Sequence, residues 1–480
     1  MSRAAEGGSP ADAGQTAGME LHRTCTHGTP PEDPVGRAAA DLVGELLGQA
    51  TISLHYTPAG GAPCQAPDAD DPDVLASATE EVVEGWQTTM TVHVDPQVAP
   101  LVASAGTSLP EPLVTLPDAA LRAARALAHG PGQGAAALEP ALKRVLRDAV
   151  VVEFLHGHQP WAQLGGSPSL VAEALEYLLE LSGTRVEAKH VTHGVVITDA
   201  LPDEPRLKVP YPAGLRSAKR SPLLFDGQRS VLLVDPHGWA RTELQRHRLE
   251  RLLPGVTGHE VDGDAFVDSG SLVALATRRL GGIGLFLRED RSIWTFVDGR
   301  PLVIRRGEHW TAFPLWLAAS LGASIGGGHA IDLLVQAAVM ISVQPNGAIL
   351  GIVEHADDLA GAVAPKDRFD RRDTFDPVAM RPETRLHHLI DAEEMDAHTL
   401  ARLAALDGAT VVDRDGRLLA YGAIVTSADS EHEGARTAAA RTLSLSALCV
   451  LKVSQDGEIA VFRDGQIVAT LLASGGAAAG

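Results

Sequence analysis

The residues of this chain best placed to do chemistry are an aspartate at the end of a strand and an arginine that opens a helix downstream of it. The first stands in Leu406-Asp407-Gly408-Ala409-Thr410-Val411-Val412, followed by a second apolar run from Gly416 to Val425. The other stands in Gly434-Ala435-Arg436-Thr437-Ala438-Ala439-Ala440-Arg441. A carboxylate is a hard oxygen donor of the kind divalent cations take. A guanidinium at the start of a helix meets phosphate with charge-assisted hydrogen bonds, where unpaired N–H groups and the helix dipole already favour an anion. Asp-Gly is also ordinary turn chemistry, so Asp407-Gly408 alone reads as a structural turn and Arg436 alone as a surface arginine.

Other candidates are weaker. His156-Gly157-His158 and the pair His190 and His193 offer imidazoles, but spacing fixes no third ligand, so they read as solvent or core histidines. Gly281-Gly282-Ile283-Gly284 and Gly326-Gly327-Gly328-His329 have neither the lysine of a P-loop nor the spacing of a dinucleotide fingerprint, and read as turns. No Gly-x-Ser-x-Gly elbow or Cys-x-x-Cys pair points to other enzymology.

Taken in order, the two segments resemble the diadenylate cyclase (DAC) domain family, whose signatures are a strand-borne Asp-Gly-Ala and, about 25 residues later, a Gly-Thr-Arg-His-Arg-Ala-Ala loop opening a helix. Asp407, Gly408 and Ala409 match the first signature. Gly434, Arg436, Ala439 and Ala440 fit the second, while Thr437 and Ala438 stand where the family has His and the second Arg. The resemblance covers roughly residues 316 to 475, taking in an upstream helix (Ile331 to Val343), the strand Asn346-Gly347-Ala348-Ile349-Leu350-Gly351 and a closing hairpin through Val453 to Phe462.

That family joins two ATP into cyclic di-AMP. The resemblance implies that Asp407 holds Mg²⁺ or Mn²⁺ and assists deprotonation of a ribose 3′-hydroxyl, and that Gly408 and Ala409 let the nucleotide lie close to the backbone. It also implies that Gly434, Ala435, Arg436 and Thr437 receive phosphate. In the family two such domains face each other, so the expected assembly is a homo-oligomer. The replaced cations leave a second expectation, a module that binds ATP or cyclic di-AMP as a sensor without turnover, and a third, a purely structural partner. Arg441 lies on the same helix but off the face of Arg436.

Composition sets the outer limits. The chain has 480 residues, 45% of them hydrophobic, enough for two or three domains with cores of their own. A formal charge of −21 argues against non-specific nucleic-acid binding, and the cluster Arg216, Lys219 and Arg220 reads as a solvated turn. Cys25, Cys64 and Cys449 make neither a disulfide framework nor a zinc pattern, as suits a reducing compartment. Without an apolar run long enough for a membrane span or a secretion-signal plan, the chain is expected to be soluble and cytoplasmic.

The pattern predicts four regions: a disordered tail at 1–35, a small α/β region with a flexible insert at 36–149, an α/β sensor-like domain at 150–315, and a DAC-type nucleotide-binding domain at 316–475. The fold class is α/β, a mixed sheet flanked by helices, with short strands separated by Asp-Gly, Gly-Gly and Asp-Pro pairs. The third region echoes the fourth. Leu285 to Gly299 runs parallel to Leu451 to Gly465, Val231 to Gly238 to Ala409 to Gly416, and His193 to Ile197 to Asn346 to Leu350. Either the third region is a diverged copy of the fourth, or two α/β segments share Asp-Gly hairpins. As a copy it has lost the chemistry, with Arg229 and Ser230 facing Asp407 and Gly408, and Ser269-Gly270-Ser271 in place of the Arg436 loop.

Overall fold

The computed structural model describes residues 31–60, 74–96, 98–99, 109, 111–129, 139–158, 169–186, 189–201, 208–216, 224–252, 272–313, 315–326, 328–342, 346–369, 395–426 and 434–472. Residues 61–72 of the flexible insert, the Ser269–Ser271 segment, Cys25 and Cys64 lie outside these residues.

The chain enters on helix α1 (Pro34–Leu47). Pro34 takes the first helical position, where its missing N–H costs nothing, and the Asp33 carboxylate accepts the N–H of Gly36 at 2.7 Å. Helix α1 therefore begins inside the range 1–35 expected to be tail, and residues 1–30 lie outside the described residues. Strands β1 (Ala50–Pro58), β2 (Val74–Val83) and β3 (Trp86–Val94) form an antiparallel sheet in the order β1-β3-β2. Helices α2 (Leu116–Ala128) and α3 (Glu139–Gly157) follow. Helix α3 runs straight through the expected domain boundary at 149/150: Val150, Val151, Phe154 and Leu155 continue its buried side.

After helix α4 (Ser169–Ser182) come the short pair β4 (Arg185–Val186) and β5 (Lys189–His190). An eight-stranded sheet follows, formed by β6 (His193–Ile197), β7 (Val209–Pro210), β8 (Ser230–Val234), β9 (Trp239–Gln245), β10 (Ile283–Leu287), β11 (Ile293–Val297), β12 (Arg300–Arg306) and β13 (His309–Ala312). Its order is β13-β12-β11-β10-β6-β8-β9-β7, and helix α5 (Leu272–Leu280) precedes β10. Helices α6 (Leu315–Ile325) and α7 (Gly328–Ser342) lead into a second sheet. This holds β14 (Ala348–Val353), β15 (Ala409–Asp413), β16 (Leu418–Ala423), β17 (Cys449–Val453), β18 (Ile459–Arg463) and β19 (Gln466–Leu472), ordered β16-β15-β14-β17-β18-β19. Helix α8 (Ala397–Ala404) precedes β15, and helix α9 (Ala435–Leu443) precedes β17.

The second sheet has three layers. Every residue of β14 is buried, as expected of a strand covered on both faces. Leu350, Ile352, Leu451 and Val453 join the large core with residues of α7 and α8. Ile349, Val411, Val450 and Phe462 join a smaller one with Ala440 and Leu443 of α9. Gly351 lets α9 approach, since a Cβ there would stand 3.1 Å from Leu443 Cδ2.

The echo between the two halves extends to topology. Strands β9-β8-β6-β10-β11-β12 repeat β16-β15-β14-β17-β18-β19, with one parallel pair in each (β6 with β8, β14 with β15) and antiparallel neighbours elsewhere. The turns repeat as well. Asp298-Gly299 and Asp464-Gly465 both carry two positive φ values, 50° and 76° against 49° and 75°, the conformation that selects Asp-Gly in two-residue hairpins. Asp235 Oδ1 accepts the N–H groups of His237 and Trp239, both at 3.0 Å. Asp413 Oδ1 likewise accepts those of Asp415 at 3.0 Å and Arg417 at 2.9 Å.

One echo needs correction. Leu285 pairs with Val195 and its counterpart Leu451 pairs with Leu350, so Val195 answers to Leu350, two residues beyond the expected Ala348. The start of β6 is closely packed. The N–H of Gly194 donates to the carbonyl of Phe225 at 2.8 Å, and a Cβ at Gly194 would stand 2.4 Å from the Cα of Gly227. His193 is fully buried there, with Tyr177 and Phe225 in edge contact at 5.7 and 6.0 Å between ring centroids. The two halves meet where Arg306 Nη1 donates to the Gly457 carbonyl at 3.0 Å. Among the described residues no helix is long and apolar enough to cross a membrane.

Candidate functional site

The Asp-Gly-Ala segment is not wholly strand-borne. Asp407 and Gly408 form the bend that leads into β15, whose first residue is Ala409. The Asp407 side is exposed, whereas Ala409 is fully buried in the smaller core. Gly408 has φ +109°, and the space of its missing Cβ is taken by the backbone of Gly422 and Ala423 on β16, the nearest atom being Gly422 C at 2.4 Å. What fills that space is protein.

Arg436 lies in the first turn of α9, behind Gly434 at the N-cap and Ala435, all three exposed. Its guanidinium rests over Gly347, where a Cβ would stand 2.8 Å from Arg436 Nη1. The parallel register pairs Ile349 with Ala409. Gly347 and Asp407 therefore both lie two residues before a paired position, and the structure places Asp407 and Arg436 at the same end of the sheet, where its parallel pair begins.

Thr437 is half-buried and its hydroxyl lies 3.4 Å from Lys452 Nζ, while Ala438 is buried against the core. Arg441 is turned to the opposite end of α9, donating to the Gly465 carbonyl at 3.2 Å, so it supplies no cation near Arg436. Two participants escaped the sequence reading. Gly347 passed as part of a strand, and Lys452 is the single charged residue in Cys449-Val450-Leu451-Lys452-Val453, the signal that singles it out.

Divalent-metal chemistry can be tested against the donor set. Among the described residues no group of three or more His, Cys, Asp or Glu side chains could hold a metal. Asp407 brings an exposed carboxylate to this end of the sheet, which suits an ion such as Mg²⁺ that takes one or two carboxylates and completes its shell with water and substrate phosphate. Of the histidines, His158 is engaged by Thr115 Oγ1 at 3.2 Å and by the Phe154 ring. Arg216 pairs with Glu180 at 2.7 Å and Glu176 at 3.6 Å, consistent with a solvated surface cation.

Comparison of the chain with family models, with curated proteins and with solved structures finds no match.

Proposed function

We propose that residues 316–475 form a DAC-type nucleotide site and that the chain condenses two ATP into cyclic di-AMP, with the preceding α/β regions acting as a sensor or scaffold. The observation that supports this is the placement of Asp407 and Arg436, both exposed, at the same end of the parallel pair, with Arg436 in the first turn of α9. Each ribose 3′-oxygen attacks the α-phosphorus of the other ATP, a P–O bond forms, and pyrophosphate leaves with the electrons of the broken bond. Arg436 and the free N–H groups of α9 hold phosphate charge, and Asp407 stands where the 3′-hydroxyl proton is released. A divalent ion carried in by ATP and touched by Asp407 would offset charge on the attacked phosphate.

The product has two equivalent phosphodiesters, so two competent faces must meet. In the first half the position matching Asp407 is Arg229, a cation where the reaction needs a carboxylate, which leaves a second copy of the chain as the partner. Cyclase activity is therefore expected to fall more steeply than linearly on dilution. Activity strictly proportional to concentration from a monomer proven by light scattering would reject the arrangement.

A second reading, nucleotide binding without turnover, is favoured by the side chains following Arg436: Thr437 faces Lys452 and Ala438 is buried. Incubating the full chain with ATP and Mn²⁺ or Mg²⁺ and looking for cyclic di-AMP separates the two. Under either reading Arg436→Ala is expected to weaken ATP binding about tenfold or more, since a charge-assisted phosphate contact is worth roughly 1.5–3 kcal/mol. Equal affinity by calorimetry would place any bound nucleotide elsewhere.

A further inference from the structure

We propose that Lys452, outside both sequence motifs, supplies a second cation to this phosphate site, and that Glu458 competes with the nucleotide for it. The inference deepens the nucleotide reading above and rests on it. Strand β17 alternates: Cys449, Leu451 and Val453 enter the large core, while Val450 enters the smaller core with Ala440 and Leu443 of α9. Lys452 shares the face of Val450, so its stem runs beneath α9. The side chain is only 14% exposed, and its ammonium lies 3.4 Å from Thr437 Oγ1 and 3.6 Å from Glu458 Oε1.

That placement has a chemical sense. Thr437 stands where the resembled family carries a histidine, so the charge missing from the helix is restored from the adjacent strand. The register pairs Ile349 with Lys452 and Ala348 with Val453, and Arg436 rests over Gly347 at the same end. Two cations thus flank the first turn of α9, and their natural ligand is an anion with more than one charged group, such as the phosphate chain of a nucleoside triphosphate. A lysine so nearly buried needs a counter-charge. Glu458 provides it on β17's own hairpin, with its side chain 32% exposed and so able to turn away to water.

The test is calorimetric titration of the full chain with ATP and, separately, adenosine, both with Mg²⁺. Lys452→Met is expected to weaken ATP about tenfold or more while leaving adenosine unchanged, and Lys452→Arg to recover most of the loss. Glu458→Gln, which keeps size but removes the competing charge, is expected to tighten ATP several-fold, a gain that a purely structural lysine would not give. Thermal melts identify any variant that has failed to fold, and the Glu458→Gln result stands independently of Lys452→Met. ATP binding that is lost in Arg436→Ala yet unchanged in Lys452→Met and Glu458→Gln would overturn the role of Lys452 and leave the nucleotide site standing. No ATP binding by the unmodified chain would overturn both.

Discussion

Asp407→Asn is expected to lower cyclic di-AMP formation by about a hundredfold or more while leaving the fold intact. The amide is nearly isosteric with the carboxylate, and Asp407 is exposed in the bend before β15, where substitutions usually change stability by less than about 0.5 kcal/mol. What changes is charge. An amide is a weaker donor to a hard cation and cannot take the proton of a ribose hydroxyl, and losing either contribution costs several kcal/mol of transition-state stabilisation, each 1.36 kcal/mol being about tenfold in rate. Initial rates by chromatography, with a thermal melt as control, provide the check. Unchanged turnover would remove Asp407 from the chemistry, and unchanged melting with normal ATP binding but no turnover would locate its role in the reaction step.

The sequence showed most clearly what is local. The fully apolar run of β14 and the Asp-Gly hairpins between β11 and β12 and between β18 and β19 each carry their cause within a few residues. Longer-range facts were legible only where they left a local trace. The correspondence of the two halves was visible at Asp298-Gly299 and Asp464-Gly465, because a turn with two positive φ values tolerates few residue types. It slipped by two residues at β6, because an all-buried strand accepts Val, Ile, Leu or Ala at almost any position and its register is set by its neighbours. Lys452 escaped because its partners, Thr437 and Glu458, sit on different elements and are united only by the packing of α9 on β17.

The motif glycines can be sorted by what occupies the space beside them. Gly408→Ala is expected to destabilise the C-terminal unit by about 3 kcal/mol or more, because two costs coincide. The backbone there has φ +109°, which L side chains rarely adopt, and the added Cβ would lie 2.4 Å from Gly422 C, 2.7 Å from its oxygen and 2.8 Å from Ala423 N. These are backbone atoms of the neighbouring strand, so relief requires β15 and β16 to part where Ala409 pairs with Ala423. For a unit of this size that corresponds to a fall in melting midpoint of roughly 6–12 °C. Gly434 is the opposite case: nothing lies within 4 Å of a Cβ built there, and its φ of −59° suits any residue. Gly434→Ala is expected to cost about 1 kcal/mol or less, the difference between glycine and alanine at a helix N-cap. A Gly408→Ala protein that melts with the unmodified chain would mean that the two strands do not approach this closely. A Gly434→Ala protein that melts normally but binds ATP more weakly would show that the space before α9 is kept open for a ligand, a demand that packing at Gly408 cannot imitate.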